Sequence, residues 1–255
     1  KSAFSVAEII RVLEKDTSAA TFSVTFLPGD TLSAAKKRLL AVGYSESDID
    51  AAFNKSYDHP LLKTKPQTAS LEGYIYGETY EFYSSASVED VLKRVFDEFY
   101  KVIESNKLIA GFESQGLNLH QGITLASIIQ RETGNAADQS QVSQVFLSRL
   151  KQGIVLGSDA VIGYAADQEN PNRNKSDMSY LTTIKCPWNS RQCQGLPPTP
   201  IATPGKSALL SVANPSTGSY LYFLTGDDGK MYYAYTEAEH QKNIKSYCKV
   251  MCSIL

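Results

Sequence analysis

Glu132 is the residue of this sequence best placed to do chemistry. It ends the stretch Ile123-Thr-Leu-Ala-Ser-Ile-Ile-Gln-Arg-Glu132-Thr-Gly134, in which Leu125, Ile128, Ile129 and Glu132 recur at i, i+3, i+4 and i+7. That spacing lays three apolar side chains and one carboxylate on a single helix face. A carboxylate among apolar neighbours must be neutralised, paired or used, and a neutralised one is a proton donor near pH 7. The blander reading sends Glu132 to solvent from the last turn, with Arg131 or a distant Lys as partner. On the pattern alone that is the commoner outcome. Gly134 stands where a glycine commonly closes a helix.

Other reactive residue types are sparse. The histidines are His59, His120 and His240, and the cysteines Cys186, Cys193, Cys248 and Cys252 make no C-x-x-C, so a zinc site is poorly supported. No metal and no cofactor is expected. No G-x-S-x-G elbow announces a serine hydrolase. Cys186 and Cys193 bracket a short polar loop that a disulfide would staple well. Cys248 and Cys252 lie one helical turn apart, where helix geometry fits a mutual disulfide badly. The even count favours an oxidising compartment outside the cytoplasm, against the alternative of free buried thiols.

The 255 residues can bury a sizeable core, as one large domain or two unequal ones. A net charge of −2 with 42% hydrophobic residues excludes a basic nucleic-acid track, and no nucleic-acid partner is expected. The aromatic balance is 15 Tyr to 10 Phe and 1 Trp, which suits carbohydrate or peptide contact as well as tyrosine-rich strands. No apolar run is long enough to span a bilayer, and no signal peptide is present. Lys1 in place of an initiator Met fits an excised soluble portion, with an N-terminal anchor outside this chain left open.

The elements that must position Glu132 follow from periodicity and caps. Ser5-Val-Ala-Glu8 opens a helix through Leu13, and Thr21 to Leu27 alternates as a half-buried strand. Helices are predicted over 31–42 and 47–54. Residues 55 to 70 read as a linker, and a tyrosine-rich extended piece follows from Leu71 to Phe82. Ser87 to Ile103 is a long amphipathic helix, and another opens at Asp138-x-x-Gln141 and ends at Gly153. Residues 154 to 205 carry little regular pattern, and a loop that long is usually functional. Ser207 to Ala213 is a short helix. Gly226-Asp-Asp-Gly229 joins a tyrosine-rich hairpin, and Thr236-x-x-Glu239 caps the last helix.

Several of these segments together carry a resemblance. Leu71-Glu-Gly-Tyr-Ile-Tyr-Gly-Glu-Thr-Tyr80, Leu125-Ala-Ser-Ile-Ile-Gln-Arg-Glu132, Val145-Phe-Leu-Ser-Arg-Leu-Lys-Gln-Gly-Ile-Val-Leu-Gly-Ser-Asp159 and Gly195-Leu-Pro-Pro-Thr-Pro-Ile-Ala-Thr-Pro-Gly205 resemble, in order and spacing, the motifs of the YceG-like endolytic murein transglycosylases. Departures are Gly77 and Ala160 in place of prolines, and Cys186-Pro-Trp-Asn-Ser-Arg-Gln-Cys193 in place of a loop similar to S-P-Y-N-T-Y. Some relatives carry a second acid where this chain has Gln130. Leu27-Pro-Gly-Asp-Thr-Leu32 is faintly similar to the family's LysM-like part.

The resemblance implies an α+β fold, with a LysM-like module over 1–66 and a larger mixed catalytic domain over 67–255 enclosing a glycan cleft. It maps the catalytic acid onto Glu132. The implied reaction cuts the β-1,4 bond between N-acetylmuramic acid and N-acetylglucosamine inside glycan strands and leaves a 1,6-anhydro end. One carboxylate suffices there, because the sugar's own 6-hydroxyl replaces the water that a hydrolase activates with a second acid. Glu72, Asp159 and Asn189 are supporting candidates that either orient substrate or serve the scaffold. Tyr74, Tyr76 and Trp188 either stack on sugars or pack in the core. The implied partners are peptidoglycan strands and peptidoglycan synthases, at the extracytoplasmic face of the bacterial cytoplasmic membrane. A water-adding muramidase pairing Glu132 with Asp159 or Glu72, and a catalytically silent glycan-binding scaffold, are the alternatives.

Overall fold

A computed structural model describes residues 20–174, 178–250 and 252 of the chain. The helix expected over Ser5 to Leu13 lies outside the described residues. The fold is α+β, with a helical core and antiparallel strand pairs. Strand β1 (Thr21–Thr25) pairs with β2 (Thr79–Tyr83), from Thr21 opposite Tyr83 to Thr25 opposite Thr79. This sheet therefore joins residues on both sides of position 66. Helices α1 (Leu32–Ala41) and α2 (Glu46–Asn54) lie between the strands, capped by Thr31 and Ser45.

The stretch read as a linker is partly core. Its 3₁₀ turn Pro60–Leu62 buries Leu61 and Leu62. Helix α3 (Val88–Ser105) follows β2. Ser87 and Asp90 form a reciprocal capping box at its head, and Val91, Leu92, Val95, Phe96, Phe99 and Ile103 are buried along it. Helix α4 (Leu108–Ser114), absent from the sequence reading, leads into α5 (Leu119–Glu132).

Helix α5 carries more than the single buried stripe read from its spacing. It is buried all round from Gly122 to Ile129, as a central helix must be. Gly122 permits that burial: a Cβ there would lie 2.2 Å from the Phe112 ring of α4. The helix stops at an extended Thr133, so Gly134 does not close it.

Helix α6 (Ala136–Lys151) starts from Asn135, one turn ahead of the expected Asp138 cap. The segment read as a long loop holds α7 (Asp159–Glu169) and α8 (Tyr180–Thr183). Helix α9 (Lys206–Ala213) packs against α4, α5 and α6 together. The expected hairpin forms as β3 (Tyr222–Thr225) and β4 (Met231–Ala234), and α10 (Glu237–Tyr247) begins with the Thr236–Glu239 capping box.

Cys186 and Cys193 form a disulfide with Cα atoms 5.9 Å apart. Cys248 and Cys252 are also bonded, against expectation. The reason is local: α10 ends at Tyr247, so these cysteines do not share a helix and the helical restriction does not apply.

Candidate active site

Glu132 is the last residue of α5. The apolar length of the helix carries it to the core's edge, where its side chain is half-buried. Burial pushes its carboxyl from about 4.5 up to about 7, and nearby Asp159 adds to the rise. The Ser158 hydroxyl opposes it by donating a hydrogen bond to Glu132 Oε1. An acid so placed is protonated in a large fraction of molecules at neutral pH.

The surroundings come from two loops sewn together. Gly157 N–H donates to the Ser190 carbonyl at 2.7 Å, and Ser190 Oγ donates to the Ser158 carbonyl at 2.6 Å. Arg191 then grips Asp159 through both carboxylate oxygens, at 2.7 and 2.9 Å. Asp159 is 34% exposed and Arg191 44%, so this ion pair forms a wet rim beside Glu132. The disulfide between Cys186 and Cys193 closes the loop that carries Ser190 and Arg191.

The proline-rich segment Gly195 to Gly205 runs along α5 and borrows its side chains as partners. Ile201 N–H donates to Ser127 Oγ at 3.0 Å, and Gly205 N–H donates to Gln130 Oε1 at 3.0 Å. His120 bridges the same segment to Tyr74. The Pro198 carbonyl can only accept, so His120 Nε2 carries the hydrogen and donates to it at 3.0 Å, and the Tyr74 hydroxyl donates to Nδ1 at 2.8 Å. Burial holds the His120 pKa below its usual range, which suits this neutral tautomer. Gln130 is thus a backbone anchor.

The other expected site residues separate into groups. Glu72 is 2% exposed, and burial drives its pKa up to about 7. It accepts the Leu32 N–H on both oxygens, at 3.0 and 3.1 Å, and the Tyr164 hydroxyl at 3.0 Å. It therefore ties the start of α1 to α7. Trp188 packs against the same Tyr164, ring centroids 5.5 Å apart. Asn189 is wholly buried; its amide donates to the Leu181 and Ile184 carbonyls and its oxygen accepts the Arg191 N–H.

Tyr74 and Tyr76 have no ring face to offer a sugar. Tyr74 is 0% exposed, and Tyr76 stacks on Phe99 at 4.9 Å inside the core. Both are corrected from stacking candidates to packing residues. Cavities of about 730, 660 and 600 Å3 open around Tyr57, Lys65 and Tyr44 respectively, and Glu132 lines none of them. What borders Glu132 is the exposed Asp159–Arg191 rim.

Ser158, Arg191 and Tyr164 are the site residues that sequence reasoning missed. Each meets its partner across 26 or more positions of chain, which no local pattern announces. Among the described residues no His, Cys, Asp and Glu cluster is arranged to hold a metal ion. No described helix is long and apolar enough to cross a membrane.

The YceG-like family model matches residues 1–246. An endolytic murein transglycosylase of Bacillus subtilis is 28% identical over 92% of this chain and 69% of its own length. One from Streptococcus pneumoniae is 28% identical over 69% of this chain, which spans about a third of that relative, 32%. A solved YceG-like protein from Listeria monocytogenes superposes with a TM-score of 0.72 at 24% identity, over 95% of this chain and 82% of its own. That likeness concerns the fold.

Proposed function

The chain belongs to the YceG-like family, and from that premise we propose that it is an endolytic lytic transglycosylase of peptidoglycan, with Glu132 as its acid and base. The substrate bond is the β-1,4 link between N-acetylmuramic acid and N-acetylglucosamine. Protonated Glu132 donates to the glycosidic oxygen as the bond to the muramic C1 breaks. The resulting carboxylate takes the proton of that sugar's 6-hydroxyl, whose oxygen closes on C1 to give the 1,6-anhydro end. No water is consumed, and Glu132 ends in its starting protonation state.

The observation that carries this reading is the setting of Glu132: a half-buried carboxyl pushed up to about 7, bonded by one hydroxyl, at a wet rim. The other candidate carboxyls favour a single-acid route over a water-adding pair. Asp159 is gripped by Arg191, and Glu72 is buried under its own donors. The proposal places the protein in the cell envelope, acting on glycan strands beside peptidoglycan synthases. It keeps a LysM-like module to residue 66 and a catalytic part beyond, joined by the β1–β2 sheet.

Mass spectrometry of digested peptidoglycan, wild type beside Glu132→Gln, tests it. Fragments lighter by one water than reducing ends, made only by the wild type, are expected. Full-mass reducing ends would indicate a hydrolase, and intact strands a silent binding protein; either result ends the proposal.

A further inference from the structure

Arg149 does not touch Glu132, yet it reaches the loop that does. It projects from the last turn of α6 and directs Nη1 to the carbonyls of Val155 and Leu156, at 3.3 and 2.8 Å. Its Nε donates to the Leu221 carbonyl, just ahead of β3, at 2.6 Å, and the guanidinium lies over the Tyr222 ring at 5.0 Å. These donors all go to main-chain carbonyls, and Glu237 acts on the cation only at longer range. Desolvating a guanidinium without a contacting carboxylate is unfavourable. What the arrangement gains is geometry: the planar fork holds the 155–156 carbonyls on Nη1 at a fixed distance from the Leu221 carbonyl on Nε, a span that the point charge of an ammonium does not fix.

Gly157 follows those carbonyls at φ +68°, and a Cβ there would lie 2.8 Å from Arg149 Nη1. Only glycine lets the chain pass that close to the guanidinium before turning into Ser158. From the other side, the Ser190 carbonyl accepts the Gly157 N–H and the Ser190 hydroxyl donates to the Ser158 carbonyl. Between these supports the loop presents the Ser158 hydroxyl to Glu132 Oε1.

We propose that Arg149 is a positioning residue for the reaction: it shapes the 155–158 loop so that Ser158 orients the Glu132 carboxyl. This rests on Glu132 being the acid. Among the described residues, the charge that acts on Glu132 is Asp159, at the head of α7, which is paired with Arg191 of the disulfide loop. On its own helix, Arg131 points instead to the Gly29 carbonyl.

The test follows the Glu132 carboxyl by carbon NMR in the whole chain labelled at glutamate, its resonance assigned by its loss in Glu132→Gln. Glycan cleavage is measured in parallel. The Ser158 bond favours the ionised form, so losing it moves the titration to higher pH. Arg149→Lys and Ser158→Ala are expected to give similar upward shifts, and the double variant no more than either alone. The turnover number should fall roughly tenfold in Arg149→Lys, the worth of one oriented hydrogen bond, with KM held. Additive shifts, or an unmoved Glu132 titration in Arg149→Lys, overturn the proposal. Gly157→Ala strains the same turn with the guanidinium intact and serves if Arg149→Lys does not fold: an upward shift supports the proposal and none overturns it. The titration needs no turnover, so its outcome is separate from the fate of the transglycosylase reading, which the activity of Glu132→Gln decides.

Discussion

Glu72 and Glu132 are both pushed up to about 7 by burial, but their surroundings differ in kind. Glu72 sits on a turn under α1, with each oxygen accepting the Leu32 N–H and one also the Tyr164 hydroxyl. Its neighbours belong to elements that it holds together. Glu132 sits at a helix end on the core's edge, is bonded by Ser158, and keeps part of its surface open beside charged, solvated groups. A raised pKa therefore does not by itself mark a catalytic acid. The difference lies in what remains free: a carboxyl whose bonding capacity is filled by the scaffold serves the scaffold, and one with an open side can meet a substrate.

The largest expected effect breaks this contrast or secures it. Glu132→Gln should lower glycan cleavage by roughly 10² to 10⁴, the worth of a general acid and base, while the thermal midpoint holds. Measured next to it, Glu72→Gln should cleave within a few-fold of wild type. If the two variants lose activity equally, the assignment of roles is wrong.

The second contrast is in stability. Glu72→Ala strips the Leu32 N–H and the Tyr164 hydroxyl of their acceptor and empties a buried site, at a cost of roughly 2–4 kcal/mol in denaturant unfolding. The pH dependence separates charge from shape. The folded-state pKa of Glu72 lies above its unfolded value of about 4.5, so its stabilising contribution is full below 4.5 and is lost as pH rises through about 7. Glu72→Gln removes that loss. Between pH 5 and 8 its stability relative to wild type should improve by up to about 3 kcal/mol, the ceiling set by the size of the shift. A constant difference across that range would mean Glu72 is not held protonated.

Much of the frame was legible because its signals are local. The capping boxes at Ser87 and Thr236, the alternation of β1 and the Gly226–Gly229 hairpin each involve residues a few positions apart. Glu132 was legible for the same reason, as a carboxylate ending an apolar run. What failed were properties set by distant packing. The rings of Tyr74 and Tyr76 read as sugar platforms or as core, and the choice falls only when Phe99 and His120 pack against them. Helix α7 was hidden because its small residues Ala165 and Ala166 make a weak stripe, in a stretch otherwise rich in turn formers. Cys248 and Cys252 were misjudged because the helix end at Tyr247 is not marked by glycine or proline. Ser158 and Arg191 became visible only when loops remote in sequence met.

The smallest effect is the most specific to the Glu132 region, and it concerns the rim. Asp159 raises the Glu132 pKa by charge repulsion, and Arg191 pairs with Asp159 and holds it in place. Asp159→Asn removes the repulsion and leaves the Arg191 cation without its partner; both changes favour the carboxylate. The Glu132 pKa should fall, and the alkaline limb of the cleavage profile should move to lower pH. Arg191→Gln keeps the Asp159 charge and removes its counter-ion, so the limb should move the other way. Because the pair is more than a third exposed, solvent screens both shifts, and each should stay under about one pH unit and shrink as salt is added. Opposite signs are the discriminating feature, since general damage to the loop would move both variants alike. The corresponding exchange near Glu72, Tyr164→Phe, removes a donor to a carboxyl outside the reaction and should leave the cleavage profile where it is. A profile that moves there instead would place Glu72 among the reacting groups and dissolve the distinction between the two carboxyls.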